Sequence, residues 1–537
     1  FMKKLVTLVS ILTCSISYSA THLLNAKDLQ RKFGIRSYVL SSKVQRSLPS
    51  VKVAVLDNGF GDLGNNFSKV SKYLPASTQV VEYFPKEMNE KFNLNPSFKG
   101  NPMSPSQHGL MMAQMIWSLS GKSAKGPKFY LLNANGYTNF TRAVRYAILQ
   151  DVDIILYSQN WEYGGNFDGK GFINKVVNNA TNAGILWVNA AGNYAGKVWN
   201  SKISLKEGNF IELKNGRDRV EFNVDLDENK STLTVSWQDF FNDANTASST
   251  DLDIDIVDVH GKVYASSSLA QVKTGADDQR KPTLYAREKL SFELDKGRYF
   301  VKVKHVVGDV NLKNIRLYLN SENEGAKLSN IERKQEIMIP ADNPNVITIG
   351  DISVASASGP TLDGRSKPDL IMPESLATFS NGLTTSGTSN AAAYYAGVLT
   401  VLKAYKSTIT KSDLLSSSAN GFEKVVRKVS KKKLPLKIKQ ALSKYLSKSK
   451  VYLLKSGRLK IVLPVSPLKV GSFFDAAYRD MSNNSKTVSD YHFFIGTDGR
   501  SVKGYYQPVG WNNTPPKFWI EVTGPASLTR PYSNPKI

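Results

Sequence analysis

Short apolar runs alternate with helical patterns between residues 51 and 193, and this alternation constrains the fold more than any other feature. The runs are rich in Val, Ile and Leu, as in strands that are covered on both faces. They are VKVAVL (51–56), FYLL (129–132), VDIILY (152–157) and ILWVNAA (185–191), and the helical patterns between them are HGLMMAQMIWSL (108–119), FTRAVRYAILQ (140–150) and FINKVVNNATNAG (172–184). This order predicts an α/β fold with a doubly wound parallel sheet, in which ligands bind at the carboxyl ends of the strands.

The pattern changes at about residue 201, where short segments alternate apolar and polar residues and are separated by turn signals. Such segments are typical of an all-β sandwich. The α/β pattern resumes at VITIG (346–350) and continues into a helical run at 386–406. We therefore predict that a β-sandwich at 201–330 is inserted into one α/β domain, which it divides into 49–200 and 331–421.

The chain begins with a pattern typical of a secretory signal peptide. Lys3 and Lys4 precede a short apolar run, and small residues follow up to Ala20. We expect residues 1–20 to be removed, a short segment to follow at 21–48, and the protein to be secreted, either extracellular or periplasmic, with no transmembrane anchor. The chain has one cysteine, Cys14, which would leave with this segment, so disulfides and a thiol nucleophile are not expected.

The net charge of +25 is concentrated in one stretch. Residues 401–460 hold 17 lysines and arginines against 2 acidic residues, a net of +15. Lysines at this density predict weak, salt-dependent association of residues 424–460 with a polyanion or an anionic envelope. The alternative is a solvated helical face, and both interpretations remain open. After this Lys-rich segment, 422–460, turn residues and aromatics indicate a small β-rich tail at 461–537.

Four residues lie at positions where an α/β fold usually carries catalytic or ligand-binding side chains, at the ends of strands and the starts of helices. Asp57 ends the first apolar run, His108 opens a helical pattern, Asn193 follows ILWVNAAG, and Ser389 lies where a helix begins. Taken singly, each has an ordinary structural explanation, such as a turn aspartate or an N-cap serine. The other histidines, His22, His260, His305 and His492, lie in less suggestive contexts.

Together these positions resemble the subtilisin-like serine proteases, the subtilases or peptidase family S8. The resemblance rests on VAVLDNG, HGL, NAAGN and SGTSNAAAYYAG, with GPTLDGRSKPDLIMP (359–373) shortly before the serine. It covers about 51–200 and 330–405, and the Asp, His, Ser order is the one that subtilisin uses.

The resemblance implies a serine endopeptidase that forms an acyl-enzyme intermediate. Ser389 would be the nucleophile, His108 the general base, and Asp57 the group that orients the imidazole. The side-chain amide of Asn193 and the backbone N–H of Ser389 would form the oxyanion hole. The resemblance also implies two substrate-binding walls, which align with Ser158, Gln159 and Asn160 on one side and with Ala190, Ala191 and Gly192 on the other.

Several positions depart from the usual family pattern, among them Asn58, Leu110 and Asn390. They motivate an alternative in which the chain is a catalytically impaired, peptide-binding protein with a subtilase fold. A third hypothesis assigns its function to the Lys-rich segment as an envelope or polyanion binder.

The predicted insertion resembles the jelly-roll domains of some bacterial subtilases. In DLDIDIV, Asp251, Asp253 and Asp255 alternate with apolar residues. Clustered carboxylates suit a structural calcium ion, whereas the simpler interpretation is a strand with a solvated acidic face. No cofactor is expected to be required.

Overall fold

The computed structural model describes residues 23–35, 50–63, 73–84, 100–120, 126–206, 211–213, 216–272, 280, 282–311 and 313–415, and strands between 450 and 532. The predicted signal peptide, with Cys14, lies outside these residues, as do His22 and most of the Lys-rich segment. In the part of the chain that is described, no helix is long and apolar enough to cross a membrane.

The described residues form six α-helices and 27 strands. Helices α1–α6 are Ala26–Lys32, His108–Ser120, Tyr137–Leu149, Phe172–Asn182, Thr388–Tyr405 and Lys411–Leu415. Strands β1–β5 are Lys52–Asp57, Gln79–Val81, Lys128–Asn133, Ile154–Tyr157 and Leu186–Ala190. Strands β6–β16 are Val198–Lys202, Ser204–Leu205, Ile211–Glu212, Arg219–Val224, Asn229–Trp237, Asp251–Val257, Val263–Ser267, Arg287–Leu294, Gly297–Val307, Asn314–Ser321 and Ala326–Leu328. Strands β17–β20 are Ile347–Asp351, Leu370–Met372, Ala377–Thr378 and Thr384–Thr385. Strands β21–β27 are Lys450–Leu453, Leu459–Val462, Phe473–Arg479, Val488–Ile495, Val502–Gln507, Phe518–Val522 and Pro531–Tyr532.

Seven strands form one sheet in the order β18-β17-β5-β4-β1-β3-β2. Each neighbouring pair in this sheet is parallel. All residues of β4 and β5 are buried, which explains why these runs carry no alternation of polar residues in the sequence. The expected mixed α/β class and the parallel sheet are therefore confirmed.

Helices cover both faces of this sheet. Val53 and Val55 of β1 pack in a core with α2 and α5, whereas Ala54 and Leu56 pack in a second core with α3 and α4. Successive side chains of a strand point to opposite faces, so one buried strand supplies both cores. Helices α2 and α5 cross closely at Gly397, because a Cβ there would lie 2.9 Å from Cβ of Leu119.

Two antiparallel sheets are formed between β5 and β17. One has the order β13-β10-β15-β6 and the other β12-β11-β14-β9-β16. The first of these strands begins at Val198, three residues before the predicted start of the β-rich region. Arg316 of β15 is 2% exposed and donates to the carbonyl oxygens of Ile337 and Gln335, both at 2.6 Å, so it joins this region to the segment that leads into β17.

The acidic strand β11 differs from the solvated face considered above. Asp251 is fully buried and accepts two hydrogen bonds from Arg280, at 2.9 and 3.3 Å. Asp255 lies 3.0 Å from the ammonium of Lys304. Both carboxylates are therefore paired with cationic side chains of the same region. Among the described residues, no group of three or more His, Cys, Asp or Glu is placed to hold a metal ion, and the calcium alternative stays untested.

The short helix α1 was not predicted within segment 21–48. It packs against α2, where Gln30 Nε2 donates to the carbonyl oxygens of Ser118 and Leu119 at 2.9 and 3.2 Å. Leu23 bridges to Phe379, and Lys32 lies 2.9 Å from Glu374. This segment is therefore attached to the α/β part of the chain. Farther along, β21, β22 and β27 form one sheet and β23–β26 another.

Candidate active site

Three neighbouring strands bring the candidate residues to one edge of the parallel sheet. Strand β1 ends at Asp57, β4 leads into Ser158, and β5 leads towards Asn193. The register pairs Leu56 with Tyr157, and Tyr157 with Asn189, so the three carboxyl ends lie side by side. This is the edge at which sheets of this kind bind their ligands.

Asp57 and His108 are in direct contact. Nδ1 of His108 lies 2.7 Å from Oδ2 of Asp57, and the Asp57 side chain is completely buried while 31% of the His108 side chain is exposed. The short distance is that of a charge-assisted hydrogen bond. Because Nδ1 is engaged with a carboxylate, Nε2 is the nitrogen left to accept a proton.

The loop after β1 fixes helix α2 against Asp57. Gly59 N–H donates to Oδ1 of Asp57 at 3.3 Å, and Gly109 N–H donates to the carbonyl oxygen of Gly59 at 3.1 Å. A Cβ at Gly109 would lie 2.6 Å from Cβ of Asp57, so only glycine allows this approach. The glycine of the HGL string therefore brings His108 to the carboxylate.

The environment of His108 shifts its pKa in two opposing ways. Burial lowers the pKa, because it disfavours the charged imidazolium. The hydrogen bond to Asp57 and the negative charge of Asp57 together raise it by more. The net result is a pKa above the ordinary value of 6.5.

The side chain of Gln159 makes a contact with Asp57 that the sequence did not predict. Its Nε2 donates to Oδ1 of Asp57 at 3.2 Å, so the side chain contacts the buried carboxylate. Asp57 thus receives hydrogen bonds from His108, Gly59 and Gln159. The resemblance implies that Gln159 lines a substrate-binding wall. Its backbone follows β4, and its side-chain amide donates a hydrogen bond to the carboxylate of Asp57.

Ser389 is the second residue of α5, a helix of 18 residues. Its backbone N–H is among the first four of the helix, which have no acceptor within the helix. Its hydroxyl donates to the carbonyl oxygen of Ser158 at 3.1 Å. Within the described residues, the hydroxyl is therefore directed at the residue after β4, and its hydrogen bond is not made to His108.

Asn193 is exposed and lies against the start of α5. Its Oδ1 accepts hydrogen bonds from the backbone N–H and the hydroxyl of Thr388, both at 3.2 Å. The Thr388 hydroxyl oxygen in turn accepts from Gly192 N–H at 3.1 Å. Since Oδ1 is held in this way, the donor end of the amide, Nδ2, remains available beside Ser389.

The two predicted substrate-binding walls are joined by side chains. Asn160 Nδ2 donates to the carbonyl oxygen of Ala190 at 3.2 Å, and Asn189 Nδ2 donates to Oδ1 of Asn160 at 3.1 Å. Ala190 and Ala191 are at most 1% exposed. Asn160 thus links 158–160 to 189–190, a connection that was not predicted, and the substrate-binding role of these residues stays a prediction.

The positions that depart from the family pattern are well accommodated. Asn390 is 2% exposed and donates to the carbonyl oxygen of Ser375 at 2.8 Å and to the Thr385 hydroxyl at 3.0 Å. Leu110 is 4% exposed and belongs to the core shared by α2 and α5. The other described histidines lie elsewhere: His260 is in a turn, His305 in β14 and His492 in β24.

The family follows from a comparison of the sequence. Residues 49–430 match the model of the Subtilase family, Peptidase_S8. This segment is well over half of the chain, so the chain belongs to the subtilase family and is a serine-type endopeptidase.

The matches among solved structures include three proteases, each with low sequence identity and a low TM-score. The CspB protease of Clostridium perfringens is 16% identical over 68% of this chain and 85% of that chain, with a TM-score of 0.42. The epidermin leader peptide processing serine protease EpiP of Staphylococcus aureus is 13% identical over 75% of both chains, with a TM-score of 0.31. MycP1 with its N-terminal propeptide removed is 13% identical over 73% of this chain and 87% of that chain, with a TM-score of 0.28. None of the curated proteins compared matches the sequence significantly.

Proposed function

We propose that this protein is an exported serine endopeptidase in which Asp57, His108 and Ser389 act as the catalytic triad. The observation that carries the proposal is the 2.7 Å contact between His108 Nδ1 and Asp57 Oδ2. Ser389 lies in the first turn of α5. A buried carboxylate that orients a histidine near a serine is the arrangement that activates a hydroxyl nucleophile.

The reaction begins with proton transfer from the hydroxyl of Ser389 to Nε2 of His108. As the proton leaves, Oγ attacks the carbonyl carbon of the substrate and its oxygen becomes negatively charged. The C–N bond then breaks, and His108 gives its proton to the leaving amine. A water molecule repeats the attack on the acyl-enzyme, releases the acid product and restores Ser389.

Two donors stabilise the oxyanion in this scheme. They are the Nδ2 amide of Asn193 and the backbone N–H of Ser389. The anchored Oδ1 of Asn193 supports this role, because a preorganised donor needs no reorganisation during the reaction. Removing such a donor costs about 10²–10³ in kcat.

The peptide substrate binds along 158–160 in the proposed complex. An extended peptide adds as a strand next to the carboxyl end of β4, opposite Ala190, Ala191 and Gly192. Before reaction, the Ser389 hydroxyl rotates from the Ser158 carbonyl towards His108, and that carbonyl becomes free to accept an N–H of the substrate. Catalytic hydrogen bonds often tighten only when substrate is bound.

The Ser389–Ser158 hydrogen bond also favours the alternative, an impaired peptide-binding subtilase, because the hydroxyl is held away from the base. Rapid-mixing kinetics with an activated ester separates the two functions. An active enzyme releases one equivalent of product in a burst that Ser389→Ala abolishes. Binding of the ester's peptide portion with no burst from the folded protein would support the alternative.

Export is supported by the signal-like pattern of residues 1–20, and it places the substrates, proteins or peptides, outside the cytoplasm.

The density of lysines in 424–460 supports an additional, weak association with polyanions or an anionic envelope. Retention on heparin tests this association, and deletion of 424–450 is expected to abolish retention. Unchanged retention after the deletion would exclude it.

A further inference from the structure

The space between 158–160 and 190–192, the two substrate-binding walls that the resemblance implies, is called the recess below, and two of the protein's own side chains lie there. They are Asn160, which follows β4, and Tyr194, which follows Asn193. The resemblance to the subtilases implied that these segments are substrate-binding walls, but it assigned no role to Tyr194.

Asn160 spans the recess from one wall to the other. Its Nδ2 donates to the carbonyl oxygen of Ala190 at 3.2 Å, and its Oδ1 accepts from Asn189 Nδ2 at 3.1 Å. Asn189 is fully buried, and its amide also donates to the carbonyl oxygen of Gln159 at 3.2 Å. With hydrogen bonds at both ends, the Asn160 side chain is held in place across the gap.

Tyr194 covers the opposite wall. A Cβ at Gly192 would lie 2.2 Å from Cε2 of Tyr194 and 3.1 Å from Nδ2 of Asn160, so Gly192 lies directly beneath both side chains. The Tyr194 ring packs edge-on against Tyr318, with centroids 5.1 Å apart. Burial raises the pKa of Tyr194 well above its ordinary value, and a hydrogen bond with Asn160 opposes this rise. The ring therefore packs against Tyr318, and the ring and the Asn160 amide both lie close to Gly192.

A bound substrate would direct one side chain into this recess. Consider the substrate residue whose N–H binds the Ser158 carbonyl oxygen. Its carbonyl carbon is two bonds from that nitrogen, N–Cα and Cα–C. Because Ser389 Oγ lies 3.1 Å from that same Ser158 oxygen, this carbonyl carbon is the one that Ser389 attacks. With its oxygen turned to Asn193, that residue would direct its side chain between 158–160 and 190–192, the two walls that the resemblance implies.

We propose that Asn160 and Tyr194 close this recess, so that the protein cleaves after glycine, alanine or serine and rejects large apolar residues at that position. This inference rests on the proposed function, since it describes how the same site selects its substrate. A large side chain would have to displace Tyr194 from Gly192 and break the Asn160 hydrogen bonds, and overpacking a filled site is unfavourable.

The experiment uses the full chain and five peptides that differ only in the residue before the scissile bond: Gly, Ala, Ser, Leu or Phe. We expect kcat/KM for Ala to exceed the values for Leu and Phe by about tenfold or more, a typical discrimination for side chains of unequal size. Higher values for Leu or Phe than for Ala would overturn the proposal. The wild-type profile decides this without any variant.

Two variants test the residues themselves. Asn160→Gly and Tyr194→Ala should each raise the ratio of Leu to Ala by about tenfold, because each removes one of the two side chains that fill the recess. Asn245→Gly is the matched control, because Asn245 lies in an exposed turn and the ratio should stay unchanged. An unchanged ratio in both recess variants, when both still react with a fluorophosphonate at Ser389, would contradict the assignment.

The outcomes also separate this inference from the proposed function. If Ser389 is labelled and kcat/KM is higher after Leu or Phe than after Ala, the closed recess is wrong and the catalytic proposal stands. If the folded protein is neither labelled nor cleaves any of the five peptides, the proposed function fails and this inference fails with it. Labelling without cleavage after Gly, Ala or Ser overturns the recess alone.

Discussion

Thr388 holds Asn193 through two hydrogen bonds, one from its backbone N–H and one from its hydroxyl, both 3.2 Å from Oδ1 of Asn193. Thr388 immediately precedes Ser389, so the proposed oxyanion donor is attached to the residue next to the proposed nucleophile. The hydroxyl also accepts from Gly192 N–H on the neighbouring substrate-binding wall. One buried threonine thereby sets the relative positions of three parts of the site.

Substituting Thr388→Val should lower kcat by about tenfold, the equivalent of one hydrogen bond, with little change in KM. The valine keeps the shape of threonine and its backbone N–H, but it lacks the hydroxyl that donates to Oδ1 of Asn193 and accepts from Gly192. Steady-state kinetics on a peptide substrate measures both constants. Thr388→Ser, which keeps the hydroxyl, is the control and should retain most of the activity. A rise in KM with unchanged kcat in Thr388→Val would contradict the positioning role.

The pH dependence of kcat/KM should follow the raised pKa of His108. The imidazole must be neutral to accept the proton of Ser389, so activity is lost as the pH falls through this pKa. Because the pKa is raised, the loss begins above the pH expected for an ordinary histidine of pKa 6.5. An acid-limb inflection at or below 6.5 would contradict the assignment.

Asp57→Asn provides the matched test for the cause of this shift. It removes the hydrogen bond and the charge that raise the pKa of His108, and leaves burial, which lowers it. NMR titration of His108 should therefore give a lower pKa in the variant than in the wild type. The same change should reduce kcat by about 10⁴, because the amide no longer holds the reactive tautomer.

Gln159→Glu should move the acid limb of the pH profile to higher pH. The new carboxylate would stand where the amide now lies 3.2 Å from Asp57, and its negative charge favours the protonated form of His108. The inflection of kcat/KM, measured at low ionic strength, detects the shift. Gln159→Leu removes the same hydrogen bond without adding charge and should show no such alkaline shift. Identical profiles for the wild type and Gln159→Glu would contradict the contact with Asp57.

Gly397→Leu should destabilise the fold by about 1–3 kcal/mol, because α2 and α5 cross too closely at this point for a side chain. The Cβ alone would lie 2.9 Å from Cβ of Leu119 and 3.3 Å from Cα of Ile116. Urea unfolding gives the loss as a lower midpoint. Lys175→Leu, at an exposed position of α4, is the control and should change stability little. An unchanged midpoint for Gly397→Leu would mean that the crossing is looser than described.

The parallel sheet could be predicted from the sequence because its signal is local. The strands β1, β3, β4 and β5 coincide with runs that are predominantly apolar, and the helix that starts at His108 coincides with an apolar helical pattern. Strand β2 has only three residues, and α1 has seven, so neither produces a periodic signal of useful length.

In the candidate site, the sequence predicted only those residues that belong to a recognisable motif or stand at the end of a predicted strand. Asp57, His108, Asn193 and Ser389 were named from their motifs, and the structure joins Asp57 to His108, Asn193 to Thr388, and Ser389 to Ser158. The amide of Gln159 and the ring of Tyr194 could not be placed in this way, because each packs against a segment distant in the sequence, Gln159 against Asp57 and Tyr194 against Tyr318. The aromatic residue directly after NAAGN was a visible signal, but the sequence does not give the direction of its ring.

The central claim is that Ser389 is a nucleophile activated by His108 and Asp57, and labelling with a fluorophosphonate tests it most directly. Mass spectrometry of the digested protein is expected to find one phosphonyl group on Ser389 in the wild type. Ser389→Ala is expected to carry no label, and His108→Ala to react far more slowly. A folded wild-type protein that takes up no label, or label that persists in Ser389→Ala, would contradict the account.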